Sequence, residues 1–135
     1  MAAIMSLHEL LKQADPHSLE AGHRVFSRGQ TADCVHYLLQ GRVGLGLYQG
    51  EQSPHRLSKV QAPGWVDLSA AVLEQPMSYD AVAETPLVVK QVPVQAFQTW
   101  LGQQTVATRD LIRDLALGQR QMAELSVSRL AMDAQ

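Results

Sequence analysis

Residues 19–43 read LEAGHRVFSRGQTADCVHYLLQGRV, a stretch in which short β-prone runs alternate with single glycines. The runs at 24–27 and 35–39 contain valine, leucine and aromatic residues, which are typical of strands. Gly22, Gly29 and Gly41 stand between the runs, where tight turns require a positive φ. The stretch therefore predicts brief strands joined by tight turns, as in a β-sandwich or barrel.

The same pattern continues to residue 92. We expect strands over 24–27, 35–39, 42–48, 56–61, 81–84 and 87–92. In the third strand, apolar side chains share one face and two glycines share the other: Val43, Leu45 and Leu47 against Gly44 and Gly46. The glycine face either meets another backbone closely, as in a flattened strand packed under a helix, or leaves space for a ligand.

A short helix precedes the strands. Ser6 and Glu9 have the spacing of a capping box, which predicts a helix over 7–13 that ends before Pro16. Its apolar side chains lie on one face: Leu7, Leu10 and Leu11. A helix of this length is not stable alone in water, so we expect it to pack on the β domain.

Composition limits the class of protein. The chain has 135 residues, 46% of them hydrophobic and 18% charged, with a formal net charge of -2. These values are typical of one globular domain and give no overall attraction to nucleic acid or to an anionic membrane. Neither a signal peptide nor an apolar run of about 18 residues is present. We expect a soluble cytoplasmic protein.

The pattern L-x2-G-x2-VF-x2-G-x2-AD-x-V-x-YLL-x-GRV over 19–43 resembles the opening half of the cyclic-nucleotide-binding domain of the catabolite-activator (Crp/Fnr) regulators. Residues 63–85 and 92–97 are similar to later parts of the same domain. The resemblance implies a mainly β fold, an eight-stranded antiparallel double-stranded β-helix (jelly roll) with flanking helices. It implies one domain over 1–135: an N-terminal helical segment at 1–18, the β-roll at 19–92 and C-terminal helices at 93–135.

The resemblance also locates a phosphate cassette. In the family, the Glu of a Gly-Glu-Leu element binds the ribose, and the Arg and Ser of a Pro-Arg-Ser-Ala element bind the cyclic phosphate. Here these elements read Val66-Asp67-Leu68 and Pro76-Met77-Ser78-Tyr79. Methionine cannot replace the charged bidentate contact of arginine. The loss is about 2–5 kcal/mol, so we expect tight cyclic-nucleotide binding to be absent.

The remodelled cassette has two interpretations. Its residues, with the glycine face, could line a small pocket: Asp67, Leu68, Met77, Ser78, Tyr79, Asp80, Gly44 and Gly46. Alternatively, Asp67 caps a helix that begins near Leu68, Met77 packs in the core, and the Tyr79 ring fills the vacated phosphate space.

The C-terminal region predicts a helix over 94–101 and a long helix over 105–132. Apolar positions of the long helix alternate at spacings of four and three, which is a heptad seam: Leu111, Leu115, Gly118, Met122, Leu125, Arg129 and Met132. A neighbouring stripe could face the β-roll: Ile112, Ala116, Ala123 and Leu130. Pairing of two seams predicts a homodimer, and the alternative is a helix folded on its own domain.

Catalytic and metal motifs are not evident in the sequence. A metal enzyme on a cupin-like roll needs clustered histidines, whereas those of this chain are scattered: His8, His17, His23, His36 and His55. Cys34 alone forms no internal disulfide and is either a structural or an oxidisable thiol. We expect no catalytic residue, no metal and no cofactor, although the cupin-like enzyme stays a minor alternative.

These observations predict an effector-sensing and dimerising domain of a Crp/Fnr-type transcription regulator. Its partners would be a second copy and a small-molecule effector of unknown identity. Within these 135 residues we expect no helix-turn-helix domain, no direct contact with nucleic acid and no membrane partner. The principal alternative is a stand-alone interaction module whose pocket is closed by its own side chains.

Overall fold

The computed structural model describes residues 6–48 and 55–133, with side chains described as far as residue 129. Four helices are present in these ranges: α1 (Leu7–Gln13), α2 (Ser69–Leu73), α3 (Val94–Gly102) and α4 (Val106–Asp133). Eight strands are present: β1 (Pro16–Leu19), β2 (Arg24–Phe26), β3 (Cys34–Gln40), β4 (Arg42–Leu47), β5 (His55–Gln61), β6 (Gly64–Trp65), β7 (Asp80–Ala83) and β8 (Leu87–Pro93).

The strands form two four-stranded antiparallel sheets. One has the order β1-β8-β3-β6, and the other has the order β2-β7-β4-β5. The helices flank this roll, with α1 before it and α3 and α4 after it. The mainly β jelly roll with an N-terminal helix and a long C-terminal helix is therefore confirmed.

The glycine turns form as predicted. Gly22, Gly29 and Gly41 have φ angles of 88°, 83° and 100°, which place them in the left-handed region that favours glycine. Gly41 also lies so close to the carbonyl oxygen of Pro86 that a Cβ atom would overlap it. Two strands, β1 and β6, lie outside the predicted set because one begins at a proline and the other has only two residues.

The core consists of two clusters of buried side chains. The larger one lies between the sheets and includes Phe26, Leu38, Val43, Leu45 and Val89. The second lies under the helices and includes Val35, Val92, Phe97, Leu73 and Ala116. The leucines of α1 pack against this second cluster, which explains how so short a helix is held.

Helix α4 runs unbroken through Gly118. Ala116 and Val127 on one face are buried against the domain. In the described ranges, no helix is both long and apolar enough to cross a bilayer.

Candidate functional site

The candidate site lies where β6 passes into α2. Asp67 has a φ of 75°, and this left-handed turn directs its carboxylate at the start of the helix. Oδ1 of Asp67 accepts hydrogen bonds from the backbone N–H of Ser69 at 2.8 Å and from its hydroxyl at 2.7 Å. The capping interpretation of Asp67 holds in part: the helix begins at Ser69 with Leu68 at the N-cap position, and Asp67, one residue earlier, accepts from the first residue of the helix.

The Tyr79 ring closes the cassette from the opposite side. Its hydroxyl donates a 2.7 Å hydrogen bond to Oδ2 of Asp67, and the ring stacks on Phe26 with 6.4 Å between centroids. The side chain is only 4% exposed. Burial, and then the negative charge of Asp67, raise the pKa of Tyr79 well above its usual range. The hydroxyl therefore stays protonated and remains a donor, so both oxygens of Asp67 are engaged within the chain.

Met77 occupies the position that the resemblance assigns to the phosphate-binding arginine. Its side chain is 5% exposed and belongs to the core between the sheets. Its backbone is fixed by Gly29 N–H, which donates to its carbonyl, and by its own N–H, which donates to Gln30. Val66 is equally buried in the same core. The cassette positions held by Met77 and Val66 therefore contribute apolar side chains to the core.

The two remaining cassette residues, Leu68 and Ser78, have different surroundings. Leu68 is half-buried and packs against the helical cluster. Ser78 is buried, and its hydroxyl has no hydrogen-bond partner among the described residues. A buried serine hydroxyl without a hydrogen-bond partner lowers the stability of the fold. Both carboxylate oxygens of Asp67 accept hydrogen bonds, whereas the Ser78 hydroxyl makes none with the described residues.

The glycine face of β4 does not join the cassette. Gly44 pairs with Val82 and Gly46 with Asp80, whereas Leu45 pairs with Ala81 on the core side. Because strand side chains alternate, the two glycines and Asp80 lie on the outer face of the sheet, away from Asp67.

The outer face is covered by other parts of the chain. A Cβ atom on Gly44 would overlap the Tyr48 hydroxyl and the Glu84 carboxylate, and one on Gly46 would overlap the carbonyl oxygen of His55. Gly46 therefore meets another backbone closely, as one interpretation predicts, whereas side chains and not a helix cover Gly44, and the space beside both is occupied by the chain itself. Asp80 is likewise committed, since it accepts the N–H of Arg28 and of Tyr48, each at 2.8 Å.

A cavity of about 330 Å³ remains between β4, β5 and α4. Tyr79 and Leu45 line its inner side, and Gln119, Met122 and Ser126 of α4 line the other. Sequence analysis did not single out Gln119. Gln119 lies three residues after Ala116 and four before Ala123. This spacing puts it on the stripe of α4 predicted to face the roll, and it is the one sequence feature that could have indicated the residue.

Arg120 joins α4 to the cassette. Its Nη1 donates to the carbonyl oxygen of Pro76 at 2.6 Å, and its Nε pairs with Glu124 at 3.0 Å. This guanidinium therefore holds the cassette backbone, and it is the second site residue that the sequence pattern did not indicate.

The predicted seam of α4 faces solvent. Leu111, Leu115, Met122 and Leu125 are 60%, 67%, 67% and 68% exposed, and Gly118 is exposed between them. Three residues of the second stripe pack on the domain, with Ile112 and Ala116 in the helical cluster and Ala123 against the core. The side chains of Leu130 in this stripe and of Met132 in the seam lie outside the described residues. The two stripes therefore face in different directions, as the sequence predicts.

His36 and Cys34 form a separate polar contact on β3. The His36 ring nitrogen lies 3.5 Å from the Cys34 sulfur and 3.4 Å from Gln91 Nε2. Burial lowers the pKa of His36 to about 4 and raises that of Cys34, with the charge of Asp33 adding to the effect. Across the described residues, no three His, Cys, Asp or Glu side chains cluster in a way that could hold a metal ion.

Comparison with protein families gives one match. The sequence model described as the cyclic nucleotide-binding domain matches residues 16–104. No curated protein sequence matches the chain significantly.

Solved structures share the fold at low sequence identity. The cAMP-bound form of the EAL enzyme Bd1971 has a TM-score of 0.71 at 17% identity, covering 90% of this chain and 32% of that one. The sensor domain of the transcriptional regulator DNR from Pseudomonas aeruginosa has a TM-score of 0.67 at 24% identity, covering 86% of this chain and 78% of that one. This chain spans about a third of Bd1971.

Proposed function

Because the chain belongs to the cyclic nucleotide-binding domain family, we propose that it is the effector-sensing and dimerising domain of a Crp/Fnr-type transcription regulator that no longer binds cyclic nucleotides tightly. The proposal places it in the cytoplasm as a homodimer. The sensor domain of DNR, a transcriptional regulator, has the same fold and supports this class of role.

The hydrogen bond between Tyr79 and Asp67 is the observation that carries the proposal. The carboxylate that would accept a ribose hydroxyl already accepts three donors from the chain itself. A nucleotide would have to break the Tyr79 bond, and Met77 would offer its phosphate neither charge nor donor. The combined cost makes micromolar affinity unattainable.

The exposed seam of α4 supports dimerisation. Four large apolar side chains on one solvent-facing stripe are an unusual feature of a monomeric surface. A second copy of the same helix would cover them in a symmetric coiled-coil contact. Met122 belongs to the seam and also lines the inner cavity. Pairing of two α4 helices and binding of a ligand in the cavity would therefore both contact this side chain.

One observation favours the closed interaction module as a second candidate. Met77 and Tyr79 are packed into the cassette as that alternative requires. The remaining cavity of about 330 Å³ beside Tyr79 favours sensing, because it falls within the usual range for small-ligand sites.

A restoration series tests the loss of nucleotide binding. The double variant Met77→Arg/Asp67→Glu restores the family's side chains, but Tyr79 still fills the site, so calorimetry should show little gain in cAMP affinity. Adding Tyr79→Ala should tighten binding by about 30-fold or more. Tyr79→Ala alone is the matched control and should gain nothing, because it opens space without adding a cation. Cooperative unfolding would show that the triple variant is folded. If this folded variant binds cAMP no more tightly than the wild type, Met77, Asp67 and Tyr79 do not account for the loss of nucleotide binding, and the proposal is contradicted.

A further inference from the structure

A second and larger cavity lies outside the roll, between the end of α2 and the first half of α3. Its volume is about 530 Å³, within the usual range for small-molecule sites. None of the residues that line it lines the inner cavity beside Tyr79. It is therefore a separate site.

The floor of this outer cavity is apolar and built from small side chains. Ala70 and Ala71 of α2 are buried, and Val94 of α3 lies across from them. The side-chain amide of Gln98 donates to the carbonyl oxygen of Ala71 and ties the two helices together. The small alanine side chains leave space between the two helices, and residues of the loops at 31–32 and 75–76 complete the lining.

The rim is rich in neutral hydrogen-bonding groups. Gln75, Gln95 and Gln98 contribute carboxamides, and two threonines add hydroxyls. One N–H of the Gln98 amide is donated to Ala71, which leaves its oxygen as an acceptor and its second N–H as a donor. Glu74 ends α2 in a left-handed conformation and brings the one charge to the rim.

The charge of the rim disfavours one class of ligand. Among the described lining residues there is no Lys, Arg or His, so a phosphate or carboxylate would meet the charge of Glu74, and the nearby guanidinium of Arg120 is already bonded to Pro76 and Glu124. A ligand with an apolar body and N–H donors would instead find carboxamide and carboxylate acceptors. This chemistry is opposite to that of a cyclic nucleotide.

We propose that the cavity between α2 and α3 is a second ligand site, for a small neutral or cationic molecule that carries an amide or amidine group. The site goes beyond the proposed sensing role and does not depend on it. Because α2 also packs on α4 through the helical cluster, a ligand there would rest against the element that joins the cassette to the α4 helix.

Three probes of the same shape and different charge test the site. Benzamide, benzamidinium and benzoate are titrated into the full chain labelled with ¹⁵N, and amide shifts are followed by NMR. We expect saturable shifts at Ala70, Ala71 and Gln98, with dissociation constants on the order of 1–10 mM for probes this small. Benzamidinium should bind about 2- to 5-fold more tightly than benzamide, since an exposed charge adds little, and benzoate should bind most weakly.

Variants at the exposed rim separate binding from folding. Gln95→Trp should cover the cavity and abolish the saturable shifts, whereas Gln13→Trp, at the exposed end of α1, should leave them unchanged. Glu74→Gln should remove the preference for benzamidinium over benzamide.

Absence of saturable shifts, shifts that survive Gln95→Trp, or a preference for benzoate would each overturn the proposal. Shifts confined to Leu57 and Ser58 would also overturn it, while leaving the inner cavity as the sensing site. Tight cAMP binding in a parallel titration would instead contradict the proposed function alone.

Discussion

Oδ2 of Asp67 accepts a 2.7 Å hydrogen bond from the hydroxyl of Tyr79. The contact joins the segment just before α2 to the residue before β7. Tyr79 thus bonds the carboxylate that the family resemblance assigns to a ribose hydroxyl. Both oxygens of Asp67 are bonded to residues of the chain itself.

Tyr79→Phe should lower the free energy of unfolding by about 1–2 kcal/mol, because Asp67 loses a donor in a half-buried position. Urea unfolding measures the change. Tyr37→Phe is the control, since no described residue hydrogen-bonds to the Tyr37 hydroxyl, and it should change stability by less than about 0.5 kcal/mol. If the two substitutions lower the free energy of unfolding equally, the hydrogen bond between Tyr79 and Asp67 does not stabilise the fold.

Gly46→Ala should destabilise the domain by about 1–3 kcal/mol, because the new methyl group meets the backbone carbonyl of His55, which cannot rotate away. Gly102→Ala is the opposite case. Nothing lies within 4 Å of a Cβ atom there, so a small gain of about 0.5 kcal/mol is expected. Thermal unfolding of both variants checks the contrast, and a neutral Gly46→Ala would show that β4 and β5 are not so close.

Local chemistry explains which parts of the fold the sequence predicts. Ser6 caps α1 by accepting the N–H of Glu9 at 3.1 Å, and Gly22 and Gly29 take positive φ angles, because each effect depends on residues close in the chain. β1 and β6 are different. They form because Pro16–Leu19 pairs with β8 and Gly64–Trp65 pairs with β3, and a strand that begins at a proline or has only two residues carries little periodic signal of its own.

In the candidate site, too, local contacts can be predicted from the sequence and tertiary contacts cannot. The contact of Asp67 with the start of α2 follows from local spacing and is predictable, although Leu68 occupies the N-cap position. The face on which Gly44 and Gly46 lie is clear from alternation, but what covers that face is not, because Tyr48 and Glu84 reach it by the tertiary fold. The contact of Arg120 with Pro76 joins residues 44 positions apart and has no sequence signature.

His36 should make stability depend on pH. Burial lowers its folded pKa to about 4 from an ordinary value near 6.5, so the unfolded chain binds a proton between these values and the folded chain does not. Stability is therefore fully present above pH 6.5 and falls as pH falls towards 4, by up to about 3 kcal/mol. Urea unfolding of the wild type and of His36→Gln across this range measures the difference.

His17→Gln is the control for this pH dependence, because His17 is an exposed histidine on β1. It should keep the slope of the wild type, whereas His36→Gln should flatten it. A wild-type slope that survives the loss of His36 would assign the proton uptake to another group.

The seam of α4 should hold two copies together. Sedimentation of the wild type at micromolar concentration should show a dimer, with about 1,200–2,000 Å² of surface buried. Leu115→Glu/Met122→Glu places four like charges around the two-fold axis and should give a folded monomer. The control Gln121→Glu/Ser128→Glu adds the same charges beside the seam and should stay dimeric. A monomeric wild type, or a dimeric seam variant, would refute the pairing.

Calorimetric titration of the wild-type chain with cAMP, and separately with cGMP, tests the central claim most directly. With Met77 in the place of an arginine and Asp67 already bonded to Tyr79, we expect no saturable heat below about 100 μM of either nucleotide. A dissociation constant near a micromolar for either one would show that the cassette opens and binds, and would contradict the proposed function.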